Sequence, residues 1–162
     1  MMAQRGSRAG GFTLIELVIT VAIVGLLASA ALPLASMAIR REKESDLRAA
    51  LQQIRTAIDA YKLAVNQGRV ESDPTKSGYP PNLQLLYQGV DDKSNPNKVK
   101  IYFLRRLPRD PLYPDGTAVA ADTWGLRSYA SSPENPQPGD DVFDVYSLSA
   151  SKGLNGVAYR DW

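Results

Sequence analysis

The sequence predicts an α+β fold in which one long N-terminal helix, apolar in its first half and amphipathic in its second, packs on a small antiparallel β-sheet. Three observations carry this prediction. Residues 10–39 form an apolar run that contains one charge, Glu16. Apolar residues between positions 47 and 65 then recur at helical spacing. Beyond residue 68 the chain is rich in turns and holds two short strand candidates.

The apolar run is long enough to span a membrane. At about 1.5 Å per helical residue, the first 20 residues of 12–39 would cross a hydrocarbon core of roughly 30 Å. The eleven residues ahead of it are small or basic, with Arg5 and Arg8 and no acid. We expect a single-pass membrane helix. Its orientation does not follow from charge, because Arg40, Arg41 and Lys43 flank its other end.

Glu16 is a lone carboxylate inside this apolar run. A charge at the centre of a membrane helix costs about 2.5–3.5 kcal/mol, so such acids generally have a partner. The nearby cations are Arg8 and the α-amino group that cleavage between Gly11 and Phe12 would create. Alternatively, Glu16 lies at the membrane interface and reaches water. The residues alone leave both explanations open.

Gly25 and Pro33 weaken the same helix. Proline has no amide hydrogen and crowds the carbonyl four residues back, so we expect the helix to bend or loosen at Pro33. A plain kinked membrane anchor would account for both residues.

Residues 40–67 continue the helix with one apolar face. Members of this face are spaced alternately four and three residues apart: Leu47, Leu51, Ile54, Ile58, Tyr61 and Val65. Gly68 suits the left-handed position that ends a helix. We predict one helix from about Phe12 to Gln67, on the order of 80 Å long.

Residues 68–162 predict a small globular domain. Asn82 can cap a short helix that Gly89 ends. The best strand candidates are residues 124–130 and 142–148, joined by a polar loop. The two strands would form an antiparallel sheet on the amphipathic half of the long helix.

The N-terminal residues resemble the cleavage and methylation signature of type IV prepilins and type II secretion pseudopilins. The matching string is Gly11-Phe12-Thr13-Leu14-Ile15-Glu16, after a basic leader. The resemblance implies that residues 1–11 are a leader peptide, which a prepilin peptidase cuts between Gly11 and Phe12, and that Phe12 is N-methylated. It also implies that Glu16 pairs with the N-terminal amine of a neighbouring subunit. Gly25 and Pro33 would then loosen the helix for assembly.

Within this superfamily the chain is most similar to the major, G-type pseudopilin of type II secretion. The matching strings are Tyr79-Pro80-Pro81, LRRLPRDP at 104–111, Trp124-Gly125, FDVYSL at 143–148 and Asp161-Trp162. The resemblance implies a type IV pilin-like fold and a homopolymer filament, built with minor pseudopilins on an inner-membrane assembly platform, that supports export of folded proteins across the outer membrane. Residues 68–162 would lie in the periplasm. A major or minor pilin of a type IV pilus is the alternative.

The family resemblance also implies a calcium ion in the loop after the last strand, and here the residues depart from the family pattern. Calcium takes six to eight oxygen ligands, normally with several carboxylates. Residues 149–162 hold one acid, Asp161, and Lys152 lies among them. We therefore expect no cofactor and no metal, with calcium as the lesser alternative. The rings of Tyr159 and Trp162 would instead pack back on the sheet and hold the loop.

Composition argues against several other functions. The 162 residues include no Cys and no His, which removes disulfides, thiolate metal sites and the commonest general base. The sequence shows no phosphate-binding glycine loop and no paired metal-ligand motif, so we expect no enzyme. Of 19 basic and 17 acidic residues, two basic ones belong to the leader. The balanced remainder has no electrostatic footprint for nucleic acid.

A secreted soluble binding domain is a further alternative. Ala28-Ser29-Ala30 and Ser36-Met37-Ala38 are small-residue patterns that a signal peptidase could cut. Glu16 argues against this, because the apolar core of a signal peptide has no use for a carboxylate. The mature N-terminus would be Phe12 for a pilin-like subunit, and Ala31 or Ile39 for a secreted domain.

Overall fold

The computed structural model describes residues 11–97 and 99–162. Its elements in chain order are α1 (Leu14–Asn66), α2 (Gln84–Gln88), β1 (Val90–Asp91), β2 (Lys100–Ile101), β3 (Trp124–Arg127) and β4 (Asp144–Ser147), with 3-10 turns at Ala120–Thr123 and Tyr159–Asp161. The chain divides into two compact units, the first ending at Arg40 and the second comprising Arg41–Trp162. One long helix with small antiparallel sheets confirms the α+β class.

Helix α1 is continuous over 53 residues, close to the predicted bounds. Gly68 has a φ of 71°, as its predicted role as the helix stop requires. Its amide donates to the carbonyl of Val65 at 2.9 Å, and the amide of Arg69 donates to the carbonyl of Ala64 at 2.9 Å. These two bonds form a Schellman motif, which satisfies carbonyls that the last helical turn would otherwise leave free.

The amphipathic part of α1 supplies one wall of the core in the second unit. All predicted members of the apolar face are buried except Val65, which is half-buried and packs against the core. The prediction of this face is confirmed. Three small residues beside it, Ala50, Ala57 and Ala64, are also buried. Across from the helix the core contains Leu83, Leu86, Leu104, Leu107, Trp124, Val142, Val145 and Tyr159.

Strands β3 and β4 pair antiparallel, with Gly125 opposite Tyr146 and Arg127 opposite Asp144. Both predicted strands are therefore present, although each is shorter than predicted. Gly125 is required by the pairing, because a Cβ at this position would lie 2.2 Å from the Tyr146 ring. A second antiparallel pair, β1 with β2, was not predicted. Its strands have two residues each, too few to show an alternating pattern.

The short helix α2 follows the predicted cap. The side-chain oxygen of Asn82 accepts the amide of Leu85 at 3.1 Å, and Gly89 ends the helix with a φ of 80°. This satisfies one of the amides at the first turn, as a capping side chain does.

The loop at 108–111 is fixed to β3 and β4 by a buried carboxylate. Asp110 accepts hydrogen bonds from the Leu112 amide and from the Ser147 hydroxyl, and its own amide donates to the Thr123 hydroxyl at 3.1 Å. The indole of Trp124 also donates to the carbonyl of Pro108 at 2.9 Å. Because a buried carboxylate is costly unless it is hydrogen-bonded, these contacts explain how Asp110 can lie in the core.

An ion pair joins the chain just after α1 to the loop after β1. Asp92 accepts hydrogen bonds from the Arg69 guanidinium on one oxygen and from the amide and hydroxyl of Ser94 on the other. The Arg69 contact, followed by the Ser94 contacts, lowers the pKa of Asp92 from its ordinary 3.8 to about 2.

We expect the stabilisation by this pair to be fully present above the ordinary carboxyl pKa. It should fall as the pH drops from about 3.8 to about 2, because the unfolded chain then takes up a proton that folded Asp92 does not. Thermal unfolding of the protein and of Arg69→Ala, compared across this range, measures the effect. The difference in melting temperature between the wild-type protein and Arg69→Ala should decrease as the pH falls and disappear below about pH 2.

Lys93→Ala is the matched control, because its partner Glu71 is exposed. A melting-temperature difference between wild type and Arg69→Ala that persists below pH 2 would contradict the assignment.

Candidate functional site

The apolar segment, residues 12–39, exposes all of its described side chains. The large apolar ones are Phe12, Leu14, Ile15, Leu17, Val18, Ile19, Val21, Ile23, Val24, Leu26, Leu27, Leu34, Met37 and Ile39. Within the described residues, α1 is the one helix long and apolar enough to cross a membrane. Soluble monomers rarely expose so large a contiguous apolar surface, which indicates that lipid or other protein chains cover it.

The hydroxyl groups of the segment are satisfied inside its own helix. Thr20, Ser29 and Ser36 each donate to the carbonyl three residues earlier, at 2.9, 2.7 and 2.8 Å respectively. Such back-bonding is what a hydroxyl needs where no water is present. These side chains therefore add little to the cost of placing the segment in an apolar environment.

Among the described residues, the Glu16 carboxylate has no such hydrogen-bond partner in its own helix. Glu16 lies in the first turn of α1, and its backbone amide donates a hydrogen bond to Thr13 Oγ1 at 3.3 Å. Within residues 11–97 and 99–162 no partner contacts its side chain. Arg8, the cation considered above, lies outside the described residues. The position near the positive end of the helix dipole favours a negative charge but leaves the side chain unpaired.

Gly11 and Phe12, the predicted cleavage and methylation residues, lie just before the helix begins. Both are exposed, Phe12 at 83 %. The structure thus places this junction in non-helical backbone, beside the turn that carries Glu16. The leader 1–11 otherwise lies outside the described residues, and its removal stays a prediction, as do the domain boundaries at 39/40 and 67/68.

Gly25 and Pro33 both lie inside α1, which continues through them. A Cβ at Gly25 would meet nothing within 4 Å beyond the local helix backbone, among the described residues. Gly25 is therefore not required by a contact within the described chain. The bend at Pro33 and the assembly role of both residues stay predictions.

Sequence reasoning missed Glu44. Glu44 is 3 % exposed, although it belongs to the charged stretch at residues 40–46, a pattern typical of a solvated helix face. Its carboxylate accepts the amide of Leu154 and the hydroxyl of Tyr159, each at 2.8 Å. A signal was present: Glu44 precedes Leu47 by three residues and thus extends the apolar face by one helical step.

The comparisons with known proteins agree with this arrangement. Residues 2–32 match the prokaryotic N-terminal methylation motif, which places the chain among proteins with a prepilin-type N-terminus. Core protein G of the type II secretion system from Klebsiella michiganensis is 31 % identical over 148 residues, covering 86 % of this chain and 94 % of that relative. Its counterpart from Dickeya chrysanthemi is 27 % identical over 159 residues, covering 92 % and 95 %.

The chain belongs to the type II secretion system core protein G family, and the resemblance described above is confirmed. The type IV major fimbrial protein FimA of Dichelobacter nodosus is 44 % identical, but over 59 residues that cover 36 % of this chain and 38 % of FimA. No solved structure matches significantly.

The exposed apolar segment predicts how the protein partitions. The full chain should enter the detergent-rich phase in a detergent phase-separation experiment, because its apolar side chains gain by leaving water. A chain that begins at Arg41 should remain in the aqueous phase. Circular dichroism of the shorter chain is the control for its folding. If the folded short chain entered the detergent phase, residues 12–39 would not be the segment that causes partitioning.

Proposed function

We propose that this protein is a structural subunit of a type II secretion pseudopilus that polymerises through residues 12–39. The observation that carries the proposal is an exposed apolar segment with a lone carboxylate, in a chain similar to core protein G over nearly its full length. In the filament the apolar side chains of neighbouring subunits replace lipid. Each added subunit therefore leaves the membrane without exposing this surface to water.

Glu16 fixes the register of assembly in this proposal. Cleavage between Gly11 and Phe12 creates an α-amino group four residues from Glu16, and the amine of one subunit pairs with the carboxylate of its neighbour. Support comes from the lack of any side-chain partner for Glu16 among the described residues, together with the match of residues 2–32 to the methylation motif. Pairing offsets the cost of both charges in an apolar environment.

We further propose that the subunit waits in the inner membrane as a single-pass protein, with Arg41–Trp162 in the periplasm. A prepilin peptidase removes residues 1–11 and Phe12 is methylated. An inner-membrane assembly platform then extracts the subunit into a homopolymer that also takes up minor pseudopilins. In this proposal the protein is not an enzyme and does not bind nucleic acid. Its action is mechanical support for the export of folded proteins across the outer membrane.

A type IV pilin is the second candidate function. The FimA similarity favours it, but that similarity spans 59 residues, whereas the core protein G similarity extends over most of the chain. Deletion of the gene distinguishes the two functions. Loss of exoprotein secretion with normal twitching supports the pseudopilus, and the reverse result supports the pilus.

Mass spectrometry of the mature protein tests the cleavage. We expect an N-terminus at Phe12 carrying one methyl group, and in cells without prepilin peptidase a chain that retains the leader ahead of Phe12. A mature N-terminus at Ala31 or Ile39 would instead show a secreted domain and would overturn the filament proposal.

Glu16→Ala should leave membrane insertion and cleavage intact but abolish filament assembly and secretion. The reason is that the variant removes the counter-charge without reducing the apolarity of the helix. Sheared-filament yield, membrane fractionation and exoprotein export measure assembly, insertion and secretion, and the mass of the mature protein measures cleavage. Glu134→Ala, an exposed acid of the second unit, is the matched control. Normal filaments from Glu16→Ala would contradict the pairing.

A further inference from the structure

The C-terminal loop, residues 148–162, folds around the carboxylate of Glu44. One oxygen, Oε1, accepts both the backbone amide of Leu154 and the hydroxyl of Tyr159 at 2.8 Å. The Tyr159 ring is itself buried in the core. On the other oxygen, Arg48 approaches to 4.0 Å. A buried carboxylate with charge-assisted hydrogen bonds makes stronger contacts than a neutral acceptor would.

The residues of the C-terminal loop do not fit the calcium ion that the fold family implies. Calcium binds six to eight oxygens, normally including several carboxylates. The one acid of the loop, Asp161, is exposed and lies 3.7 Å from the guanidinium of Arg160. The loop also carries a second basic residue, Lys152. In the described part of the chain no three Asp or Glu side chains form a cluster able to hold a metal.

The groups that point at Glu44 lead to the same conclusion. The Leu154 N–H and the Tyr159 O–H are hydrogen-bond donors, and both are directed at Oε1. A cation beside this oxygen would need acceptors around it instead of donors. The carboxylate therefore serves as an acceptor within the protein and is not arranged as a metal ligand.

The remainder of the loop is closed by its own backbone and by the Trp162 ring. The amide of Gly153 donates to the carbonyl of Val157 at 2.8 Å, and the amide of Gly156 donates to the carbonyl of Gly153 at 2.9 Å. Gly156 has a φ of 80°, which glycine adopts without strain. The Trp162 ring covers Gly153 so closely that a Cβ there would lie 2.4 Å from it.

The end of the chain is tied to α1 by a second residue. Arg55 donates to the carbonyl oxygen of Trp162 at 2.8 Å and to that of Val145 at 3.2 Å, and it forms an ion pair with Asp144 at 2.8 Å. The guanidinium of Arg48 also lies 4.1 Å from the centre of the Trp162 ring. The loop is thus attached to α1 within its turn, at Leu154, and after it, at Tyr159 and Trp162.

We propose that Glu44 anchors the C-terminal loop in this protein and that the loop holds its fold without calcium. The inference goes beyond the proposed function, because a pseudopilus subunit could hold this loop in either way.

Calcium titration of the full chain in detergent micelles tests the first half of the proposal. A folded-state site occupied at about 100 times its dissociation constant would raise the melting temperature by roughly 5–10 °C for a chain of this size. We expect no such rise with excess calcium chloride and no fall with excess EDTA. A shift of that size with either reagent, or saturable heat on calorimetric titration with calcium alone, would overturn the proposal.

Substitution of the contact tests the second half. Glu44→Ala should lower the melting temperature by roughly 5–10 °C, and Tyr159→Phe, which loses one hydroxyl and keeps the ring, by roughly half as much. Limited trypsin digestion should cut after Lys152 faster in both variants. This readout reports opening of the loop and not only a loss of stability. Glu42→Ala, two residues away and exposed, is the matched control.

Adding and removing calcium shows whether Glu44 acts as a hydrogen-bonding anchor or as a metal ligand. Neither added calcium nor EDTA should change the rate of trypsin cleavage after Lys152 in the wild-type chain. Glu44→Gln, which keeps an acceptor oxygen, should fall between wild type and Glu44→Ala. If Glu44→Ala does not fold, Tyr159→Phe and the calcium titration still decide. Wild-type cleavage rates in Tyr159→Phe would overturn the anchor.

Discussion

The structure depends on one constraint, which is that residues 12–39 cannot remain in water. Complete transfer of an exposed Val, Leu, Ile, Phe or Met side chain out of water is worth about 1.5–3 kcal/mol, and fourteen such side chains of this segment are exposed at 44 % to 83 %. No change in the second unit could offset a cost of that size. The segment therefore has to be covered by lipid or by other protein chains. The hydroxyls of Thr20, Ser29 and Ser36 are hydrogen-bonded within the helix, so they are compatible with a lipid environment and with a protein environment.

Helix α1 and its apolar face could be predicted because both depend on residues that are close together in the sequence. Spacing of four and three residues marks Leu47 through Val65, and a glycine able to take positive φ marks the end of α1. The strand pair β3–β4 was found for a similar reason, since each strand lies in a short run that Gly, Pro or Asp clusters bound. Pairs of two residues, such as β1 with β2, carry no period and escape this reasoning.

Contacts between distant residues could not be predicted. Glu44 meets Leu154 and Tyr159 across separations of 110 and 115 residues, and its position on the apolar face indicates burial without identifying these partners. Asp110 and Ser147 are a second case, 37 residues apart. Glu16 is different in kind. Its predicted partner belongs to another copy of the chain. The fold of a single chain cannot show such a partner, whereas the signature of residues 11–16 predicts it.

The Glu44 contact has a mechanical consequence. Glu44 lies three residues after Arg41, where the second unit begins, and its partners lie close to the other end of the same unit. In the proposed assembly the subunit is drawn along its helix, and the force enters the second unit at Arg41. Along the chain from Arg41, Glu44 comes before Leu47, the first apolar core residue of the helix. Through its hydrogen bonds to Leu154 and Tyr159, Glu44 therefore links the start of the second unit to residues near its other end.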